Sequence, residues 1–379
     1  MAWPRSAAEK PLKIYVYDEL GDSLAARESP GQYALGWVMY EKLKADPRRT
    51  LNPREATLFF VPLDFARYRS ESQKHPSPDR YLCSKLEEAR AKVGNQTINH
   101  VVPVALVSSS MWFGFGKSCP HFDWLLDMQW LTIEAPWIVE ASRARVSTTT
   151  LPYARPHQHT VPYPSFRARS MEDIASLRQY QASRSRVLVT QVLGSHSRSG
   201  SDLRLKLKAE CEKMEQCFTD WQGERKKAVT GTFEAYLAHN VPHLPAYARG
   251  TFCAQPFGTT PSRAGLYHCL LAGGIPVIFE PYLLQALGPI FNGQWAVEID
   301  LDRALEDPKK NVYDYISTIP KSKIQDMQKV ISDAAPRLQY YSSSSSRADN
   351  DDDDAYDYAI NAVYAYYTSP KTTGRRRRT

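Results

Sequence analysis

Short apolar runs alternate with amphipathic segments along most of the chain. The runs KIYVY (13–17), ATLFFVP (56–62) and HVVPVALV (100–107) are rich in β-branched and aromatic residues and are too short for helices. They predict buried strands, and residues 137–139 predict a fourth, shorter one. Segment 32–43 carries its aromatic residues on one side, which predicts an amphipathic helix. Strands that alternate with helices indicate an α/β fold with a parallel sheet.

The second half of the chain contains two turns of a kind that binds phosphate. RVLVTQVLG (186–194) predicts a strand, which leads through a serine- and glycine-rich turn into a helix beginning near Leu203. QPFGTTPSRAGLYHCLLAGGIPVIF (255–279) predicts a turn, a helix capped by Thr260 and a buried strand. The free N–H groups of a helix N-terminus attract a phosphate or diphosphate. The plainer alternatives, a capped helix whose arginine lies in water and a flexible polar loop, stay open. The anion-binding candidates are Gly194, Ser195, Arg204, Gly258, Thr259, Thr260, Pro261, Ser262 and Arg263.

Length and charge limit the classes of function. The chain has 379 residues, which suggests two domains with a ligand site between them. Its formal net charge is +7, but four positive charges belong to the terminal run 375–378. The rest is only mildly basic, which argues against a dedicated nucleic-acid binder. Residues 146–169 are rich in proline, threonine and arginine and predict an interdomain connection.

The six cysteines show no CxxC or zinc-type spacing, so the sequence predicts no structural metal site. Their even number permits disulfides, whose formation stays open. Cys253 and Cys269 fall in apolar segments, which predicts small buried side chains rather than nucleophiles. The sequence contains neither an apolar run of about 18 residues nor a basic-then-apolar leader, so it predicts no membrane span and no signal peptide. Truncation of an anchor before residue 1 stays open.

The order of segments resembles the exostosin family, glycosyltransferase family 47. The resemblance rests on KIYVYDEL, RTLNPREATLFFVP, INHVVPV, HTVPYPSF, RVLVTQVLG, YARGTFCAQPFGTTPSRAGLYHCLLAGGIPVIF and DAYDYAINAV, in the family's order across residues 12–366. It implies an α/β GT-B architecture, in which two Rossmann-like domains face each other across a cleft. It also implies inverting transfer from a UDP-sugar to a hydroxyl of a polysaccharide or glycoprotein glycan. Family enzymes usually work without a metal or other cofactor, in the Golgi, anchored by one N-terminal span.

Within that architecture the sequence divides into six segments, and a homo- or hetero-dimer with a related glycosyltransferase is also expected. The segments are a short leader (1–12), an N-terminal Rossmann-like acceptor domain (13–165), a C-terminal Rossmann-like nucleotide-sugar domain (166–340), a solvated Ser/Asp-rich loop (341–354), a closing helix (355–367) and a basic disordered tail (368–379).

The resemblance assigns roles to individual residues. As the sugar leaves, negative charge grows on the UDP diphosphate, and arginines and backbone amides must stabilise it. Arg204 and Arg263, with Ser262 and the helix N-terminus, are the candidates for this task. Asp64, which follows a predicted strand, is the first candidate for the base that deprotonates the acceptor hydroxyl, and His100 is the second. His268 stands where relatives commonly carry an acid, and it is placed beside the donor ribose.

Other interpretations stay open. Asp300 and Asp302 form an Asp-x-Asp pair of the kind that holds Mn²⁺ or Mg²⁺ in metal-dependent glycosyltransferases. The histidine at 268 motivates a second alternative, a weakly active or inactive subunit that acts as a scaffold for a partner. A polyanion-binding protein working through its arginine tail is a third. A set of aromatic residues in the first half suits either sugar stacking or core packing: Trp112, Phe113, Phe115, Trp124, Trp130 and Trp137.

Overall fold

The chain folds into two α/β units, seen here in a computed structural model. The first unit comprises residues 1–136, 150–164 and 346–379, and the second comprises 137–149 and 165–345. The structure describes residues 11–25, 34–63, 74–94, 99–105, 119, 121, 124–125, 128–133, 158–164, 187–193, 201–221, 244–256, 263–279, 282–287, 290–300, 311–340 and 354–368.

The first unit is built on a six-stranded sheet in which every described strand pair is parallel. Its spatial order is β2-β1-β3-β4-β5-β6. The strands are β1 (Ile14–Val16), β2 (Arg49–Thr50), β3 (Leu58–Phe60), β4 (His100–Val104), β5 (Gln129–Thr132) and β6 (Gln158–Thr160). The helices of this unit are α1 (Asp18–Ala25), α2 (Leu35–Lys44), α3 (Pro78–Val93) and the C-terminal α10 (Ala355–Thr368). Parallel strands that are covered on both faces consist of continuous apolar residues. This explains why the three apolar runs correctly predicted β1, β3 and β4.

The second unit is built on a five-stranded parallel sheet in the order β11-β10-β9-β7-β8. Its strands are β7 (Val187–Leu193), β8 (Cys217–Trp221), β9 (Gly250–Gln255), β10 (Ile275–Ile278) and β11 (Val297–Glu298). Its helices are α4 (Ser201–Cys211), α5 (Leu244–Tyr247), α6 (Ala264–Leu271), α7 (Tyr282–Leu287), α8 (Asp314–Ser317) and α9 (Lys321–Ala334). The predicted α/β class and pair of Rossmann-like units are confirmed.

Three strands of the first sheet correct the interpretation of the sequence. Gln158–Thr160 lies inside the predicted interdomain connection, yet it pairs in parallel with β5. It is the last strand in the described order of the sheet, and edge strands often carry polar residues. β2 and β5 also went unpredicted, whereas the predicted strand at 137–139 lies outside the described residues.

All six cysteines form disulfides, which settles a question that the sequence left open. The pairs are Cys83–Cys119, Cys211–Cys217 and Cys253–Cys269. Cys253 and Cys269 are fully buried, as predicted, but they are bonded to each other rather than acting as separate apolar side chains. Their disulfide fastens β9 to α6.

The acidic run before α10 does not end in a solvated loop, because Asp354 is only 2% exposed. Its Oδ1 accepts the backbone N–H groups of Tyr356 and Asp357 at 2.8 and 3.1 Å, which caps the first turn of α10. Its Oδ2 pairs with the ammonium group of Lys42 on α2. Asp354 therefore joins the start of the closing helix to α2 within the first unit.

The aromatic residues that the structure describes in this set serve the core. Trp124 and Trp130 are 6% and 3% exposed, and their indole N–H groups donate to the carbonyl oxygens of Gly94 and Leu125, both at 3.0 Å. The predicted core-packing role is confirmed for these two. The other four residues of the set lie outside the described residues.

Candidate active site

The strand order of the second sheet creates a switch point between β7 and β9. From β7 the chain passes to β8 on one side and then returns to β9 on the other. In open α/β sheets, ligands bind outside the carboxyl ends of the strands at such a reversal. Val192 lies near the carboxyl end of β7, and Gln255 is the last residue of β9.

Arg263 connects the two strands at this edge. Arg263, rather than the predicted Thr260, is the N-cap residue of α6, since its extended backbone delays the start of the helix to Ala264. Its Nη2 donates to the carbonyl oxygen of Val192 at 2.8 Å, and its Nη1 donates to that of Pro256 at 3.0 Å. The arginine thus links the carboxyl ends of β7 and β9 to the start of α6. Because a guanidinium carries five donors, others remain beyond these two bonds.

Arg204, one turn into α4, is a second cation in the same neighbourhood. It is 8% exposed. Burial and the positive charge of Arg263 lower the pKa of Arg204 to about 10, and Tyr247 opposes the shift. Two neighbouring arginines that repel each other, one of them buried, favour an anion between them, because an anion would relieve the repulsion.

Tyr247 and Gln255 complete the cluster. Tyr247 is fully buried and Gln255 is 2% exposed, and neither side chain makes a hydrogen bond of good geometry. Burial raises the pKa of Tyr247. The Gln255 amide is near enough to the phenol to oppose that rise. The Tyr247 hydroxyl lies against Gly265, at the first turn of α6. The cluster of Arg204, Tyr247, Gln255 and Arg263 is called the arginine cluster below.

Known proteins point to one family. A model of the exostosin GT47 domain matches residues 8–315. The chain belongs to the exostosin GT47 family. The resemblance that the segment order implies is thereby confirmed, and the arginine cluster falls inside the matched part of this GT47 chain.

Similar proteins include plant glycosyltransferases. A probable xyloglucan galactosyltransferase GT19 of Arabidopsis thaliana is 25% identical over 218 residues, covering 54% of this chain and 48% of the relative. A probable xyloglucan galactosyltransferase GT17 of the same plant is 21% identical over 351 residues, covering 88% of this chain and 71% of the relative. The chain thus spans about half the length of the first relative. A crystal structure of a GtfA/B complex shares 11% identity at a TM-score of 0.36, over 77% of this chain and 61% of that one.

His268 lies one turn further along α6 of the GT47 chain. It is 9% exposed, and its ring is tilted at 6.2 Å from that of Tyr247. The histidine therefore borders the arginine cluster, and its contact with a donor ribose stays a prediction.

Several predicted residues lie outside the described residues. In the second unit these are Gly194, Ser195, Gly258, Thr259, Thr260, Pro261 and Ser262, and in the first unit the same holds for Asp64. Their predicted roles stay predictions. Of the nine anion-binding candidates the structure describes Arg204 and Arg263, and it brings these two together.

His100 is held firmly inside the first unit. It opens β4, is 1% exposed, and its Nε2 lies 2.9 Å from the Tyr17 hydroxyl. Its ring stacks on Phe59 with centroids 4.8 Å apart, and its carbonyl oxygen accepts the Tyr367 hydroxyl at 3.0 Å. Since a strand's first residue lies at the edge opposite the carboxyl ends, this arrangement favours a structural role. A role as base stays a prediction.

The metal-dependent alternative relies on Asp300 and Asp302. The structure describes Asp300, but Asp302 falls outside the described residues. Asp300 follows β11. Within the described part of the chain, no group of three or more His, Cys, Asp or Glu side chains is arranged to hold a metal ion.

Sequence reasoning missed Tyr247 and Gln255. A usable signal exists for Gln255, because it is a polar residue that ends the buried strand TFCAQ at its carboxyl end. Tyr247 gives no such signal, since a tyrosine in an apolar segment usually packs in a core.

A Gly265→Ala substitution is expected to weaken UDP binding while leaving the protein folded. A Cβ there would collide with the Tyr247 hydroxyl and lie 3.0 and 3.1 Å from Nε and Nη2 of Arg263. Alanine favours a helix over glycine by about 1 kcal/mol, which partly offsets the overpacking cost of about 1–3 kcal/mol. Calorimetric titration with UDP measures the affinity, and circular dichroism reports the fold. Unchanged affinity would show that these positions do not contribute to the binding of UDP.

Proposed function

We propose that this chain is a glycosyltransferase that moves a sugar from a UDP-sugar to a hydroxyl of a polysaccharide. The observation that carries the proposal is the arginine cluster at the switch point of the second sheet. A buried guanidinium group, that of Arg204, and a partly buried one, that of Arg263, beside the first turn of a helix form a place that favours a diphosphate.

The cluster suits the chemistry of the leaving group. When the bond between the sugar and UDP breaks, negative charge builds up on the diphosphate, and fixed donors in a water-poor site stabilise it efficiently. Arg204 supplies charge, and Arg263 supplies charge and connects both strand ends to α6. The proposal assigns this charge stabilisation to the arginines without a metal cofactor.

An inverting transfer also needs a base that removes the acceptor proton. The proposal assigns this task to Asp64 rather than His100. His100 is buried and already engaged by Tyr17 and Phe59, so its ring is poorly placed to meet a substrate hydroxyl.

The relatives suggest which substrates to test first. Both named plant relatives are called probable xyloglucan galactosyltransferases. We therefore take galactose as the first donor sugar and xyloglucan-type glucans as the first acceptors. A dimer with a related glycosyltransferase belongs to the same proposal.

The Golgi lumen is the proposed location. The three disulfides support it, because disulfides persist in oxidising compartments of the secretory pathway. Among the helices in the described part of the chain, none has both the length and the apolar character needed to cross a membrane.

The test is a UDP-release assay with UDP-galactose and xyloglucan oligosaccharides, run in EDTA and again with Mn²⁺. Release that depends on the acceptor and persists in EDTA is the expected result. Release only with Mn²⁺ would favour the Asp-x-Asp alternative. Release with neither, combined with failure to bind UDP by calorimetry, would favour the scaffold alternative.

A further inference from the structure

Within the part of the chain that the structure describes, the arginine cluster contains buried hydrogen-bonding groups that make no hydrogen bond of good geometry. The Tyr247 hydroxyl and both polar atoms of the Gln255 amide are buried without a hydrogen-bond partner. Both side chains are almost entirely shielded from solvent, so bulk water does not replace the missing partners. An unpaired buried donor destabilises a fold, and a group of this kind calls for an explanation.

The position of these groups suggests what they are for. The Tyr247 hydroxyl abuts Gly265 in the first turn of α6, and the Arg263 guanidinium lies on the same glycine. The positive charges of Arg263 and Arg204 both act on the phenol. Gln255 stands at the carboxyl end of β9, beside the carbonyl group of Pro256 that Arg263 contacts. The unpaired donors therefore share the switch point with the two cations.

A second tyrosine of the same unit shows how a buried hydroxyl is normally accommodated. Tyr313 is as completely buried as Tyr247, but its hydroxyl donates to Oε1 of Gln191 at 3.0 Å. Phenylalanine would fill the space at 247 without leaving a polar group unpaired. Retaining the hydroxyl there serves stability poorly and points to a ligand.

We propose that the Tyr247 hydroxyl and the Gln255 side-chain N–H are donors reserved for the diphosphate oxygens of the nucleotide sugar, pairing with them only in the bound state. This rests on the proposed function, which supplies the diphosphate. Burial raises the pKa of Tyr247, which keeps the phenol protonated as a donor. The O–H bond stays intact, and its hydrogen bond strengthens as charge grows on the departing UDP.

The test compares Tyr247→Phe with Tyr313→Phe in the full chain by thermal unfolding without ligand and by calorimetric titration with UDP. Tyr247→Phe is expected to raise Tm by about 2 °C, because it removes an unpaired group. It should also weaken UDP binding by roughly tenfold or more, because a hydrogen bond to a charged oxygen is lost. Tyr313→Phe is expected to lower Tm by about 2–4 °C and to leave UDP affinity within about twofold.

The outcomes separate this inference from the function on which it rests. Wild-type protein that binds UDP, with Tyr247→Phe of equal affinity, would overturn the inference and leave the proposed function standing. A lower Tm for Tyr247→Phe would show that the hydroxyl is already paired within the protein, which would also overturn the inference alone. Wild-type protein that binds neither UDP nor inorganic pyrophosphate would overturn both.

Discussion

An Arg204→Met variant is expected to bind UDP about 30-fold more weakly than the wild type, since a charge-assisted hydrogen bond contributes about 2 kcal/mol. Thermal unfolding of the same variant shows whether the weaker binding is separate from a loss of stability. The expected loss of binding follows from the electrostatics of the arginine cluster.

The reason lies in the electrostatic environment of Arg204. Burial and the charge of Arg263 lower the pKa of Arg204 to about 10, which means that the folded protein disfavours its charged form. Methionine keeps the apolar stem of the side chain and removes the charge. The folded protein then loses a repulsion, whereas a bound diphosphate loses a partner.

Arg263 is a less clear test of the same idea. Its guanidinium donates to the carbonyl oxygens of Val192 and Pro256, so truncation would remove both hydrogen bonds and destabilise the unit as well. A loss of binding in that variant would mix two causes. For Arg204→Met, thermal unfolding measures the effect on stability separately from the effect on UDP binding.

The matched control is Lys208→Met on the same helix. Lys208 forms an i,i+4 pair with Glu212 at 3.6 Å, and its side chain is 37% exposed. The control also removes one positive charge from α4. Lys208 lies nearer to solvent than Arg204, so its ion pair with Glu212 contributes little to stability. Calorimetric titration at fixed salt compares the two variants. Equal weakening in both would show that net charge alone drives UDP binding and would contradict a specific role for Arg204.

The sequence predicted those parts of the fold that local residue composition is enough to indicate. Ile275–Ile278 is apolar on both faces, and a parallel strand buried on both sides has that composition. The helix before it ends close to Gly273, whose φ of 66° is typical of the glycine that follows a helix C-terminus. Gln158–Thr160 gave no comparable signal, because its place in the sheet depends on its neighbour β5.

The candidate site was predictable only in part, for a similar reason. Glycine, hydroxyl groups and arginine near a helix N-terminus indicate an anion site from local chemistry. The contact between Arg263 and Val192 joins residues 71 positions apart, and no local pattern reports it. The absence of a partner for the Tyr247 hydroxyl is likewise a property of the surrounding fold rather than of its segment.

The largest effect on stability is expected from Asp46→Ala in the first unit, which should lower the free energy of unfolding by about 3–5 kcal/mol. Oδ1 of Asp46 accepts the backbone N–H of Arg48 at 2.8 Å, and Oδ2 accepts its Nη2 at 2.7 Å. Oδ2 also accepts the hydroxyl of Tyr356 from the closing helix α10. Removing the carboxylate leaves a buried hydroxyl unpaired and takes from Arg48 one of its two acidic partners, the other being Asp357.

The pH dependence gives this prediction a second readout. Burial alone would raise the pKa of Asp46, but hydrogen bonds from Arg48 and Tyr356 outweigh it and lower the pKa to about 2 from 3.8. A carboxyl with a lowered folded pKa stabilises the protein above its unfolded value, and that contribution is lost as the pH falls through the folded value. The stability gap between wild type and Asp46→Ala should therefore narrow as the pH falls from about 4 to about 2.

Urea unfolding across that pH range measures the gap, and Glu88→Ala in the same unit is the control. Glu88 pairs with Lys85 at 2.8 Å, but its side chain is 59% exposed, so its loss should change stability by less than about 1 kcal/mol. If Asp46→Ala were no more destabilising than Glu88→Ala, the carboxylate would not fasten α10 to the first unit. A gap that stayed constant down to pH 2 would instead show that the effect comes from lost packing rather than from the ionised carboxylate.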